Sequence, residues 1–151
     1  MLDISRMSMH ATTKLWLGWR HFSRTVAYEI KLDIVLRELI IQRVGHLCHS
    51  DYEVFHHRPV ALKHGATEDM CDAMRTGDFS IFMPEWRAAL TFATEIIRDA
   101  NPSDAALAEM RTYFTDEDVF NIIMLIGAYM TTARIVATAG IGPETSHSQQ
   151  D

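Results

Sequence analysis

Glu53 and His57 stand four residues apart, so in a helix they share one face, a turn from each other. A carboxylate beside an imidazole raises its pKa and orients the ring, which suits a group that delivers or removes a proton near neutral pH. Tyr52 adds a phenol at the same place. Upstream, Glu38 is expected to complete a polar pocket, and Arg37 to supply a fixed positive charge for a carboxylate or an enolate oxygen. The expected site is Arg37, Glu38, Tyr52, Glu53 and His57.

Each of these residues also has a plainer use. Ser50 and Glu53 have the S-x-x-E spacing of a capping box, in which Glu53 would only satisfy a backbone donor. A Glu–His pair at i, i+4 on a surface is worth about 0.3–0.5 kcal/mol and needs no catalytic role. Arg37 and Glu38 can form a structural ion pair between packed helices.

Metal binding is a rival reading. Five of the eight histidines, His46, His49, His56, His57 and His64, crowd into one region. With Glu53 between them, His49 and His57 make an i, i+4, i+8 series of zinc- or iron-type donors if the helix begins early. Ser50 as the N-cap opposes this by putting His49 outside the helix, so no metal is expected and the remaining histidines read as solvated or interfacial. Cys48 and Cys71 form neither a Cys-x-x-Cys pair nor a zinc cluster and read as reduced and structural. There is no Gly-rich phosphate loop, and no cofactor is expected.

The elements that must hold these residues read as helices. Hairpin signals such as Asn-Gly or Asp-Gly are missing, whereas apolar residues recur at helical spacing. Leu15, Trp19, Phe22 and Val26 form one stripe on a helix from about Ala11 to Tyr28. From about Lys31 to Leu47, apolar residues point in nearly every direction, which is the pattern of a central buried helix. Its Arg37, Glu38 and Arg43 must therefore find partners or a wet cavity. Ser50 starts a helix to about His64, with Gly65 after it. Thr67, Glu68 and Asp69 open a short helix ending near Gly77, and Pro84 opens one to about Ala100. Ser103 caps a helix through Tyr113, and Thr115 with Asp118 caps the last, which ends about Ala139 before Gly140-Ile-Gly-Pro143. One domain over 1–143 with a mobile polar tail at 144–151 is the expected organisation.

Composition excludes other classes. With 48% hydrophobic and 23% charged residues, the chain has a globular balance. A net charge of -6 without a basic run lacks the patch that nucleic-acid binding needs. No uninterrupted apolar stretch reads as long enough to cross a bilayer, and the opening residues lack the order of a secretory signal. A cytoplasmic protein with no nucleic-acid or membrane partner is expected.

The segment Leu36-Arg-Glu38, then Tyr52-Glu-Val-Phe-His-His57 with Ala61 and Gly65, resembles the Arg-Glu and Tyr-Glu-x-x-x-His arrangement of carboxymuconolactone decarboxylase-like proteins. The likeness continues more weakly through Trp86, Asp118, Ile126-Gly-Ala-Tyr129, Arg134 and Gly140-Ile141. It implies an all-α, compact multi-helix bundle of the alkylhydroperoxidase D-like type, assembling into a homo-oligomer, often a trimer or hexamer. Alkylhydroperoxidase D itself uses a Cys-x-x-Cys pair, and those positions here read Ser50 and Glu53, so the resemblance is to the non-redox branch and peroxidase activity is not expected.

The expected activity is that of a cofactor-free lyase on an enolisable small carboxylic acid, a β-keto acid or an unsaturated lactone acid. In that chemistry His57 donates the proton, Glu53 and Glu38 tune it, Tyr52 donates to the enolate oxygen and Arg37 holds the anion. The same groups suit an isomerase, dehydratase or cyclase. A non-catalytic helical oligomer that binds a small ligand is the reading from a different class.

Overall fold

The computed structural model describes residues 10–143, so the expected tail at 144–151 and the opening residues lie outside the described residues. These form seven α-helices and no strand: α1 (Thr13–Tyr28), α2 (Ile34–Leu47), α3 (Asp51–Lys63), α4 (Glu68–Thr76), α5 (Pro84–Asp99), α6 (Asp104–Tyr113) and α7 (Asp116–Thr138).

The fold is organised around α2. Every residue from Val35 to Gly45 is buried, because the helix is enclosed by α3, α4, α5 and α7. Asp33 starts it by accepting the N–H groups of Val35 (2.8 Å) and Leu36 (3.0 Å). Its buried charges are partnered, as burial demands. Arg43 donates to Thr94 Oγ1 (3.0 Å) and the Met74 carbonyl (2.7 Å), and its guanidinium lies over the Phe79 ring at 5.5 Å. That arginine therefore ties α2 to α4 and α5.

Most of the helix boundaries follow from their caps. Thr67 accepts from the Met70 N–H and Thr115 from the Asp118 N–H, and Ser103 accepts from Ala106. Asp118 returns a bond to the Thr115 N–H, completing a capping box. At Ser50 the expected box is not formed: the Ser50 side chain makes no capping bond, and the Glu53 side chain is turned into the bundle toward His57.

Two other expectations are corrected. The apolar stripe of α1 does not face the core along its whole length. Leu15 is 66% exposed, Trp19 and Phe22 are half-buried, and only Val26 is buried, in a helix that packs chiefly on α7. Conversely, α7 is long and apolar enough, by length and composition alone, to cross a membrane. The run from Val119 to Ala133 carries no charge. In the fold, Ile122, Leu125, Ile126 and Ala128 of this helix are core residues, while Phe120 and Ile123 are exposed.

Gly45 sets the distance between α2 and α3. A Cβ there would lie 2.9 Å from Val54 Cγ2, 3.1 Å from Glu53 Cβ and 3.2 Å from the Ser50 carbonyl oxygen. Two of these partners are fixed backbone or near-backbone atoms, so the helices would have to move apart. Gly45→Ala is expected to lower unfolding free energy by roughly 1–3 kcal/mol in urea titration. Gly18→Ala, on α1 with nothing within 4 Å, is expected to raise it by about 0.5–1 kcal/mol.

Candidate active site

The central helix carries Arg37 and Glu38 to a place where α3 presents Glu53 and His57. Glu38 Oε2 lies 2.6 Å from His57 Nδ1, and Glu38 Oε1 accepts from Arg37 Nε (3.1 Å) and Nη2 (3.0 Å). On the other side of the imidazole, Glu53 Oε2 is 3.4 Å from Nε2. The four groups thus form a line of alternating charge, Arg37–Glu38–His57–Glu53. It is nearly dry: Glu38 and Glu53 side chains are 4% and 1% exposed, and His57 is 19% exposed.

Electrostatics follow from that order. Burial alone would lower the His57 pKa, but hydrogen bonds and charge from Glu38 and Glu53 outweigh it and raise it to about 9. Burial pushes Glu38 up, and the opposing bonds to His57 and Arg37 win and hold its carboxyl below the ordinary value. At neutral pH the ring is therefore an imidazolium held by the Glu38 carboxylate, which makes it a proton donor rather than a base. Glu53 Oε1 is buried and has no hydrogen-bond partner among the described residues.

Of the expected site residues, Arg37, Glu38, Glu53 and His57 come together. Arg37 is committed to Glu38, so its charge reaches the site through that carboxylate. The buried ring of Tyr52 lies over His56 at 4.3 Å between centroids. The phenol against His57 is Tyr129, from α7, whose ring meets the imidazole edge-on at 5.0 Å. Burial, then the charges of Glu38 and Glu53, push its hydroxyl well above the usual range, so it stays protonated and can donate. Sequence reasoning missed Tyr129 as a site residue. The only signal was its place in Ile126-Gly-Ala-Tyr129, because the fold alone brings α7 to α3.

His49 has a left-handed backbone (φ 54°) between α2 and α3, outside either helix, so the i, i+4, i+8 donor series does not form. Among the described residues no three His, Cys, Asp or Glu side chains are arranged to hold a metal ion. Cys48 and Cys71 are both free. Burial raises both thiols, whereas thiol chemistry needs a lowered pKa and a ready thiolate.

Comparison with known proteins agrees with this architecture. The model of the carboxymuconolactone decarboxylase family matches residues 17–95, a stretch that contains Arg37, Glu38, Tyr52, Glu53 and His57. No curated protein sequence gives a significant match. Among solved structures, an Agrobacterium tumefaciens protein of unknown function, described as a putative antioxidant defence protein AhpD, aligns with a TM-score of 0.81 at 20% identity, over 89% of this chain and 94% of that one. An uncharacterised peroxidase-related protein from Silicibacter sp. TM1040 aligns with a TM-score of 0.79 at 17% identity, over 92% and 75%. The debrominase Bmp8, in a variant complexed with 2,3,4-tribromopyrrole, aligns with a TM-score of 0.74 at 16% identity, over 87% and 72%. At these identities the likeness is one of fold.

The charge ladder predicts how stability varies with pH. His57 has a raised folded pKa, so its stabilisation is full below its ordinary value of 6.5 and is lost as pH rises to about 9. Glu38 has a depressed one, so its share is present above 4.5 and is lost as pH falls through the lowered pKa. Urea-unfolding free energy is expected to peak between these limits and to decline by at most about 3 kcal/mol from pH 6.5 to 9. His57→Asn should lose that decline.

Proposed function

We propose the following activity for this chain, which belongs to the carboxymuconolactone decarboxylase family: it is a cofactor-independent lyase that decarboxylates an enolisable small carboxylic acid by acid–base chemistry. The observation that carries this reading is the 2.6 Å contact of Glu38 with His57 Nδ1, which fixes the ring and keeps it protonated while Nε2 faces Glu53 at a looser 3.4 Å.

The substrate class follows from what such a donor can do unaided. In a β-keto acid or an unsaturated lactone acid, the carbon–carbon bond to the carboxylate breaks, carbon dioxide leaves, and the electron pair passes into the substrate's own carbonyl. The resulting enolate needs a proton on carbon and a donor at oxygen. His57 Nε2–H supplies the first. Tyr129 is placed to supply the second, the part assigned to Tyr52 on sequence alone. His57, 19% exposed, recovers its proton from solvent, while Glu53, 3.4 Å from Nε2, keeps the ring oriented.

Arg37 stabilises Glu38 as a carboxylate and adds positive charge at that end of the site, where the substrate anion binds. The raised thiol pKa values of Cys48 and Cys71 favour this branch over thiol peroxidase chemistry. The active form in this reading is a homo-oligomer.

The test is turnover of a panel of β-keto acids and unsaturated lactone acids by purified protein, with products weighed by mass spectrometry. Loss of carbon dioxide is expected. A product of unchanged mass would replace the lyase with an isomerase or cyclase. His57→Asn is expected to lower kcat by about 10²- to 10⁴-fold. Tyr129→Phe should give a smaller fall, with the pH profile retained; equal turnover by His57→Asn would remove the imidazole from the chemistry.

A further inference from the structure

A groove of about 660 Å³ runs between α5, α6 and α7, away from the charge ladder: none of Arg37, Glu38, Glu53 or His57 lines it. Its size is that of a small-molecule site. The walls are apolar, with Phe92, Ile96, Leu107, Ile123, Ile126 and Met130 among them.

Three features point to one class of occupant. First, the charged residues that line the groove are Arg98, Arg111 and Arg134, and no acidic residue lines it, although the chain as a whole carries a charge of -6. Second, two of these cations lack a counter-ion. Arg111 is held by Asp116 at 3.0 Å, but Arg134 donates only to the Met130 carbonyl of its own helix (2.8 Å). Among the described residues neither Arg98 nor Arg134 has a carboxylate partner.

Third, Gly127 lies in the lining at the middle of α7, where a Cβ would meet nothing within 4 Å. No turn, positive φ or close helix contact calls for glycine there, and glycine weakens a helix interior relative to alanine. What its missing side chain does is leave the groove open.

We propose that this groove binds an amphipathic carboxylate, with the apolar chain along Ile96, Ile123 and Met130 and the carboxylate at the guanidiniums of Arg98 and Arg134. Guanidinium groups match a carboxylate with two parallel hydrogen bonds, and here such an anion would supply the charge that the protein does not. The apolar walls take the chain for the usual reason that it leaves water. The site is separate from the proton donor at His57.

Octanoate and 1-octanol, titrated into the full chain and followed by calorimetry and by methyl NMR, test this. Octanoate is expected to bind saturably, shifting the methyl signals of Ile96, Ile123 and Met130, and to bind His57→Asn equally well. The double variant Arg98→Gln/Arg134→Gln should weaken octanoate by about tenfold or more and leave octanol unchanged. Gly127→Leu should abolish binding of both while the fold is kept. Octanol binding as tightly as octanoate, an undiminished double variant, or octanoate shifts centred on Tyr129 and lost in His57→Asn would overturn the proposal. So would an absence of saturable binding; a changed molecular mass of Gly127→Leu in sedimentation would then assign the groove to a contact between copies of the chain.

Discussion

The contact between Glu38 and His57 imposes the strictest condition on the rest of the molecule. A carboxylate that is 4% exposed is tolerable only with positive charge on more than one side, and it has Arg37 and the imidazolium. The imidazolium in turn is half of a second pair with Glu53. Breaking any link leaves a buried charge without compensation, so the ladder requires α2 and α3 to stay in one register. Gly45 permits that approach, and the burial of α2 from Val35 to Gly45 keeps water from loosening it.

A helix so apolar carries Arg37, Glu38 and Arg43 at its centre because each of these charges has a partner there. Arg43 spends its charge on structure, binding Thr94 and the Met74 carbonyl. Glu38 spends its own on tuning a neighbour. The same helix thus joins the core to the chemistry, and the raised pKa of His57 is a consequence of packing as much as of sequence spacing.

How much of this the sequence carried depends on how local each feature is. The helices, the buried character of α2 and the Thr67, Ser103 and Thr115 caps rest on residues a few positions apart, and they were legible. Glu53 and His57 share a helical face, and Arg37 and Glu38 sit on the central helix, so their meeting was legible as well. What failed was non-local or depended on a choice between two partners. Glu53 could cap its own helix or reach inward to His57, and only the packed α2 decides for the second. Tyr52 is adjacent to Glu53 in sequence, yet the ring against His57 is Tyr129, brought there by α7. The exposure of Leu15 likewise depends on where α1 ends its contact with α7, which periodicity does not state.

The central claim is that His57 is a protonated donor held by Glu38, and a titration of its ring resonances by NMR in the unliganded protein measures this directly. A midpoint near pH 9, falling toward the ordinary 6.5 when Glu38 is replaced by Gln, is the predicted result. A midpoint at or below 6.5 in the unaltered protein would contradict it, because the ring would then be neutral at physiological pH and the charge ladder would not exist.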